Sequence, residues 1–451
     1  MKGRAASAAG KRYAVIGGGW AGCAAAVELA GAGHRVTLFE AARTLGGRAR
    51  AVSVKTSGAE RVDLDNGQHI LLGAYAATLA LLARLGIERR DAFLTLPLQM
   101  RYPQGGLDGG MDFIAPHLPA PLHLFVALLR ARGLSAADKL SLARFSTTAR
   151  WMGWTLHHDC SVSELLERFD QTARLTALLW RPLCLAALNT APGRASAQVF
   201  LAVLRDSLGA HRAASDMLLP RVNLSALMPQ AAARYVEQRG GAVRLGAGVR
   251  SVVAASAGAG WRVDDGAFDG VVLATAPAAA AALLPPGSRQ VRAQLDGFDY
   301  EAITTCYLQY ATDLALPLPF CALLDDPLQG RHGQFVFDRG QLDSSQAGLL
   351  AVVISASAGA AAVGQAELAR LLAAQLAAAF GVAALAAPRW HQVITEKRAT
   401  FACRPALLRP SHASGLPALV LAGDYTAGDY PATLESAVRS GVGAARLLAA
   451  A

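Results

Sequence analysis

"RYAVIGGGWAGCAAAVELAGAGHRVTLFE", residues 12–40, decides the fold. "RYAVI" is an apolar run that ends in glycines, "AGCAAAVELAGAGH" has the composition of a helix closed by Gly31 and Gly33, and "RVTLFE" is a second apolar run. Together they predict a strand, a helix and a second strand, the usual opening of a doubly wound α/β fold. Between the first strand and the helix stands Gly17-x-Gly19-x-x-Gly22. Gly17 permits the tight turn, Gly19 lets a pyrophosphate approach the backbone, and Gly22 lets helix and strand pack closely. The residues of this turn, Gly17, Gly19, Trp20, Ala21 and Gly22, are candidates for dinucleotide contact. The helix start adds free N–H groups and a positive dipole end. Glu40 closes the second strand, where a carboxylate can accept both ribose hydroxyls of an adenosine.

Two further stretches extend this pattern. Gly46-Gly47-Arg48 follows six residues after Glu40 and offers close backbone approach with a guanidinium for phosphate oxygens. Near the other end, Gly423-Asp424 follows an apolar strand, and "YPATLESAVRSG" begins a final helix with Thr433 as a plausible cap. Strand and helix signals return around residues 220–289, where "WRVDDGAFDGVVLATAP" reads as a hairpin leading into a buried strand. The expected division is therefore a discontinuous Rossmann-like domain of residues 1–75, 220–289 and 401–451. A second domain, of residues 76–219 and 290–400, is inserted into it. Its first piece is mostly helical ("ATLALLARLG", "HLFVALLRARG", "SVSELLERF"); its second mixes strands such as "ITTCYLQYA" and "LLAVVISAS" with an alanine-rich helix.

Composition sets the outer limits. Of 451 residues, 53% are hydrophobic and 17% charged, which implies a folded chain with a sizeable core. The formal charge of +10 comes from scattered arginines, and no basic run with interleaved aromatics suggests nucleic acid. Six cysteines (Cys23, Cys160, Cys184, Cys306, Cys321, Cys403) form no CxxC pair, so neither zinc nor a disulfide framework is expected, and a reducing cytoplasm is the default. No metal site is read. Glycines and Glu28 argue against a secretory signal in the N-terminal apolar run. The uncharged run 270–288 holds three prolines and reads as strand, turn and short helix, so no transmembrane helix is expected.

These parts together resemble the FAD-dependent amine oxidase and phytoene desaturase superfamily, at both ends and in the middle of the chain. The resemblance implies an amine oxidase-like fold in which the glycine turn and Glu40 hold the ADP half of FAD. It places Arg48 along the pyrophosphate, Asp424 of Gly423-Asp424 on the ribityl chain, and Thr433 and Leu434 at the flavin pyrimidine edge. Val249, in "GAGVRSVV", would meet the adenine through its backbone. No His or Cys stands in a motif that tethers flavin, so the FAD is expected to be non-covalent. "DNGQHILLGAY", "ITEKRATFACRP" (394–405) and "LAGDYTAGDYPATLESAVRSG" look like the squalene-associated branch, the hydroxysqualene dehydroxylases of hopanoid and squalene synthesis. That branch implies removal of an allylic hydroxyl by reduced FAD, a hydroxysqualene substrate and squalene-pathway enzymes as possible neighbours. Desaturation of a carotenoid-type isoprenoid and non-catalytic isoprenoid carriage are the alternatives.

Such a reaction needs an acid beside the flavin within a dry, apolar site. "VDLDNGQHILLGAY" (62–75) supplies the polar cluster. Gly67 would permit close approach of the flavin, His69 would be the acid, Asp65 its orienting partner or the alternative acid, and Gln68 the holder of the hydroxyl. The plainer reading makes Asp65 and Asn66 a local turn and His69 a core histidine. Glu396-Lys397-Arg398 is either a solvated strand end or places Glu396 or Arg398 at the substrate cavity; Tyr425 either reaches the ring or packs. A thirty-carbon isoprenoid stays in the bilayer, so the protein is expected at the inner face of the cytoplasmic membrane as a peripheral protein. "FIAPHLPAPLHLFVALLRARG" (113–133) is the expected contact.

Overall fold

The computed structural model describes residues 10–55, 61–103, 110–255 and 260–450. Residues 1–9 and Ala451, assigned above to the cofactor domain, lie outside the described residues.

Strand Arg12–Ile16 is the centre of a five-stranded parallel sheet ordered Ala242–Leu245, Arg35–Glu40, Arg12–Ile16, Gly270–Leu273, Leu419–Leu421. Its side chains alternate between two cores. Ala14 and Ile16 pack with Val271, Leu273, Leu419 and Leu421 on one face, and Tyr13 and Val15 with the helices on the other. Burial on both faces is why this strand reads as an unbroken apolar run and not as an alternating one. Helix Trp20–Gly31 follows the glycine turn, and its alanines bring the C-terminal helix Leu434–Ala450 close. A side chain at Gly441 would stand 2.1 Å from the Ala21 carbonyl oxygen. Strand order reverses between Arg12–Ile16 and Gly270–Leu273, the place where open α/β sheets bind ligands.

A second, antiparallel sheet runs Phe320–Ala322, Phe335–Asp338, Leu349–Ser355, Tyr300–Gln309, Trp390–Phe401. Period-two alternation again separates its faces. Cys306, Leu308, Val352 and Ile354 pack beneath helix Gln365–Phe380, whereas Tyr307, Phe335, Phe337 and Val353 face a separate core. Helices between residues 122 and 209 close the other side.

Two expected boundaries cut through one sheet. Leu71–Leu72 and Phe93–Leu96 both pair with Met217–Pro220, so hydrogen bonding joins segments on either side of residues 75 and 219. The boundary after residue 400 falls inside strand Trp390–Phe401, whose Phe401 still pairs with Tyr300. All six cysteines are free and buried. Among the described residues no helix is long and apolar enough to cross a membrane, and no cluster of His, Cys, Asp and Glu could hold a metal.

Candidate functional site

One cavity of about 1230 Å³ runs from the carboxyl edge of the parallel sheet to the antiparallel sheet. Its first wall is backbone. Gly17 has φ +108°, and a Cβ there would lie 2.5 Å from the Ala274 carbonyl oxygen. Gly22 does not line the cavity; a Cβ on it would meet the Gly17 oxygen at 1.8 Å, so it locks the helix onto the strand end. Gly19 pairs as a bridge with Gly46, and beyond Gly47 nothing crowds it. Gly47 itself is left-handed, with φ +60°. The Trp20 indole donates to the Ala49 carbonyl at 3.1 Å and fastens the two glycine turns together.

Glu40 lines this wall with its carboxylate already fixed. Oε2 accepts the Gly18 N–H and Oε1 the Ala42 N–H, each at 2.7 Å. A carboxylate has about four acceptor sites, so two remain for ribose hydroxyls. Among the described residues the Val249 amide and carbonyl make no hydrogen bond, and Val249 faces the cavity. Arg48 and Asp424 line the cavity too, yet they meet each other: Nη2 to Oδ1 is 2.6 Å, while Nη1 donates to the Ala399 carbonyl at 2.7 Å. Arg48 thus joins the second glycine turn, the C-terminal Gly-Asp and strand Trp390–Phe401. Gly423 donates to Ser440 Oγ at 2.9 Å, which ties this turn to the last helix. Thr433 is that helix's cap: its Oγ1 accepts the Ser436 N–H at 3.1 Å, and Ser436 Oγ accepts the Thr433 N–H at 3.1 Å. The helix start at Thr433 and Leu434 opens on the cavity. Two hydroxyls on this wall, Thr275 Oγ1 and Tyr425 Oη, are buried without a partner. Free backbone groups, a positioned carboxylate and orphan hydroxyls are what a flavin dinucleotide would satisfy.

The 62–75 stretch crosses to the second wall. Strand Arg61–Asp65 ends at Asp65, and Asn66, Gly67, Gln68, His69 and Ile70 line the cavity. The backbone bends at Asn66 and Gly67, but among the described residues the Asn66 side chain bonds across to Arg50 and not locally: its Oδ1 accepts the Arg50 N–H at 3.2 Å, and the Asn66 backbone N–H donates to the Arg50 carbonyl at 2.9 Å. Gly67 has room, since a Cβ would find only His69 Cε1 at 3.6 Å and Thr305 Oγ1 at 3.9 Å. The protein around Gly67 therefore does not itself demand glycine. His69 Nδ1 bonds the Gly67 carbonyl at 2.7 Å, so Nδ1 carries the hydrogen and Nε2 is an acceptor when the ring is neutral. Burial lowers the ring's pKa, opposed by that carbonyl.

Asp65 is placed otherwise than expected. It does not line the cavity; its Oδ1 accepts the Leu224 N–H at 2.8 Å, and its own carbonyl accepts the Tyr307 hydroxyl at 2.8 Å. Gly67, not Asp65, orients His69. The Asp65 side chain is nearly fully buried, and desolvation pushes its pKa up to about 6 against the pull of the Leu224 amide and the Arg339 charge.

Arg339 and Tyr307 are the residues that sequence reasoning missed. Arg339 is 3% exposed, donating from Nη1 to Gln68 Oε1 and from Nε to Gln346 Oε1, both at 2.9 Å. Arg339 orients the Gln68 amide by holding one lone pair of its oxygen, and one amide N–H reaches the His69 carbonyl at 3.4 Å. The sole signal for Arg339 was a cation closing the apolar strand "GQFVFDRG". Glu396 lines the cavity opposite Ile303, while Lys397 and Arg398 are exposed. Most of the remaining wall is apolar, with Phe113, Phe145, Trp180, Phe320, Phe335 and Phe337 among its residues.

The sequence profile of flavin containing amine oxidoreductases matches residues 20–449. The chain belongs to this family. Hydroxysqualene dehydroxylase from Rhodopseudomonas palustris is 34% identical, with 98% of this chain and 99% of that protein covered. Hydroxysqualene dehydroxylase from Sinorhizobium fredii is 29% identical over 97% of this chain and 98% of its own. Relatives of that identity and span place the chain in the hydroxysqualene dehydroxylase branch, as an FAD-dependent oxidoreductase. Among solved structures, an oxidoreductase from Methanosarcina mazei superposes with a TM-score of 0.71 at 17% identity, covering 97% of this chain and 100% of that one. At that identity the likeness is one of fold, and it agrees with the amine oxidase-like α/β architecture.

Proposed function

We propose that the protein removes the hydroxyl of hydroxysqualene reductively, releasing squalene and water. The observation that carries this reading is the single cavity in which a flavin-fitting backbone wall meets an apolar chamber through one small polar patch, Gln68 and His69. The relatives' names supply the substrate. When bound and reduced, FAD supplies the hydride equivalent, and it is held non-covalently: among the described residues no cysteine lines the cavity, and His69, the one histidine among them that does, bonds Gly67.

The chain's own residues handle the hydroxyl. An alcohol donates one hydrogen and accepts others, and the patch offers a matching pair: the neutral His69 Nε2 as acceptor and the Gln68 amide as donor. Arg339 holds the Gln68 oxygen away from the substrate and polarises the amide. Protonated His69 gives its Nε2 proton to the departing oxygen, so one proton and one hydride convert C–OH to C–H and water. The aromatic and aliphatic walls exclude water that would recapture an allylic cation. Glu396 lines the same cavity and supplies an alternative carboxyl for the proton. Asp65, behind the wall, sets the local backbone and transfers no proton. Because a thirty-carbon substrate resides in lipid, the enzyme works as a peripheral protein at the cytoplasmic face of the membrane, beside other squalene-pathway enzymes; its free cysteines suit a reducing compartment.

The test is an anaerobic assay of the purified protein with chemically reduced FAD and hydroxysqualene. Squalene is the expected product. Dehydrogenated isoprenoid formed with oxidised FAD, and no squalene, would replace the reading by desaturation; protein that never retains flavin would replace it by carriage.

A further inference from the structure

Two helices frame the exposed end of the cavity. Leu122–Arg130 and Ala136–Trp151 both contribute lining residues that are also solvent-exposed: Leu122 and Phe125 from the first, Thr147 and Arg150 from the second. These residues form its mouth. Around the mouth, large apolar side chains face outward: Leu122 is 53% exposed, Phe125 57%, Leu129 58%, Leu140 53% and Trp151 87%. Their spacing puts them on one stripe of each helix, at 122, 125 and 129 and at 140 and 151, with Arg144 and Thr147 between. Apolar groups so grouped around an opening mark an interaction surface and not a scatter of single exposed residues.

Charge selects the partner. Residues 121–151 carry five basic side chains (Arg130, Arg132, Lys139, Arg144, Arg150) and one acidic, Asp138. Asp138 is buried and satisfied by Ser135 and Thr172, so it neutralises nothing outside. Among the described residues none of the five cations forms an ion pair. An acidic protein surface would match the cations but not the exposed Leu, Phe and Trp tips. An anionic bilayer matches both, with phosphates at the cations and acyl chains at the tips.

We propose that this helical pair docks the protein on an anionic bilayer and presents the cavity mouth to the acyl region. The inference deepens the proposed function and rests on its lipid-resident substrate. It also extends the contact expected at residues 113–133 to the second helix, whose Leu140 and Trp151 lie outside that stretch. Substrate then passes from lipid to the polar patch without crossing water.

The experiment uses FAD-loaded full-length protein and substrate-free vesicles of phosphatidylcholine alone or with one quarter phosphatidylglycerol, read by co-sedimentation. Binding is expected to be at least tenfold stronger on the anionic vesicles and to weaken with salt. Two variants, neither altering a cavity-lining residue, separate the contributions: Leu129→Ser/Leu140→Ser/Trp151→Ser and Arg130→Glu/Arg144→Glu. Each is expected to lose at least tenfold in vesicle binding, while keeping bound flavin and turnover of detergent-dispersed substrate. Brominated acyl chains are expected to quench a tryptophan signal that Trp151→Phe removes. Equal binding to both vesicle types, unchanged binding of the variants, or self-association that the apolar variant abolishes would overturn the proposal. Failure in vesicles alongside squalene formation in detergent sinks the docking face alone; the reverse pattern sinks the dehydroxylase reading alone.

Discussion

The two walls of the cavity are made by different means. On the cofactor wall the backbone shapes the site: glycines at 17, 19, 46 and 47 bring main chain to the surface, and the start of Leu434–Ala450 points N–H groups at it. On the substrate wall side chains shape it, with Gln68 and His69 held by Arg339 and the Gly67 carbonyl amid aromatic residues from several segments. At Gly17 and Gly46, and at Gly22 behind them, the backbone wall has no space for an added carbon, whereas a side-chain wall tolerates substitution of shape but not of hydrogen-bonding direction. The contrast can be broken at defined points.

The largest effect is expected from Gly22→Val. The first carbon added would lie 1.8 Å from the Gly17 oxygen, backbone against backbone, so neither partner can yield. Loss of bound flavin and of soluble, folded protein is expected, read by flavin absorbance and thermal unfolding. Gly428→Ala is the control, since nothing lies within 4 Å of its added carbon. If Gly22→Val keeps its flavin, the backbone wall is more plastic than described.

On the other wall, His69→Ala is expected to lower turnover by about 10²–10⁴-fold, the range for a lost general acid, with flavin content unchanged. The pH dependence gives the sign. Burial lowers the pKa of His69, against the pull of the Gly67 carbonyl, so its acid form accumulates at lower pH than that of an ordinary histidine. Turnover limited by protonation is therefore expected to rise as pH falls through that pKa, and His69→Gln is expected to abolish the rise while retaining flavin. A rise that persists in His69→Gln would move the acid elsewhere, with Glu396 the next cavity carboxyl to test.

Arg48 and Asp424 lie where the two means of construction meet. Removing a charged hydrogen-bond partner typically costs about 1.5–3 kcal/mol, or roughly 10–100-fold in affinity. Arg48→Ala also leaves Asp424, 8% exposed, without its cation. FAD affinity is expected to fall by that factor in Arg48→Ala and in Asp424→Ala, and by much less than the product in the double variant. Additive losses would mean that the two groups act on FAD independently and that their pairing is incidental.

Legibility in the sequence follows the same division. The backbone wall was readable because its physics is local: a glycine turn, its strand and its helix lie within thirty residues, and all expected flavin-contact positions except Gly22 do line the cavity. The Arg48–Asp424 pair joins residues 376 apart, a separation no spacing rule reaches. On the substrate wall the sequence located the polar cluster but not its orientation. Asp65 and His69 are four residues apart, yet the strand ends between them and turns the Asp65 carboxylate toward Leu224. Arg339, which fixes Gln68, comes from 271 residues away. The pairing across residues 75 and 219 was hidden for a related reason: Met217–Pro220 finds its partners by long-range strand pairing that hydropathy does not encode.

Asp65 supplies the smallest expected effect on activity and the clearest sign in stability. Its carboxyl is raised from 3.8 to about 6, mainly by burial, so the folded protein holds a proton that the unfolded chain releases. The stabilisation from that proton is fully present below the unfolded value and is lost as pH rises through about 6. Above that range the buried charge is a burden on the order of 3 kcal/mol. Asp65→Asn keeps an oxygen for the Leu224 N–H and removes the charge. The variant is expected to be the more stable form at pH values above about 7, by roughly 1–3 kcal/mol, and to lose the wild-type decline in stability across the Asp65 titration. Turnover is expected to stay within about threefold, because the carboxylate stands behind the wall and not in it. Denaturant unfolding across pH, paired with the reduced-FAD assay, reads both quantities. A hundredfold loss of turnover in a variant that folds and holds FAD would return Asp65 to the reaction, and would mean that its carboxylate turns toward the cavity when substrate is bound.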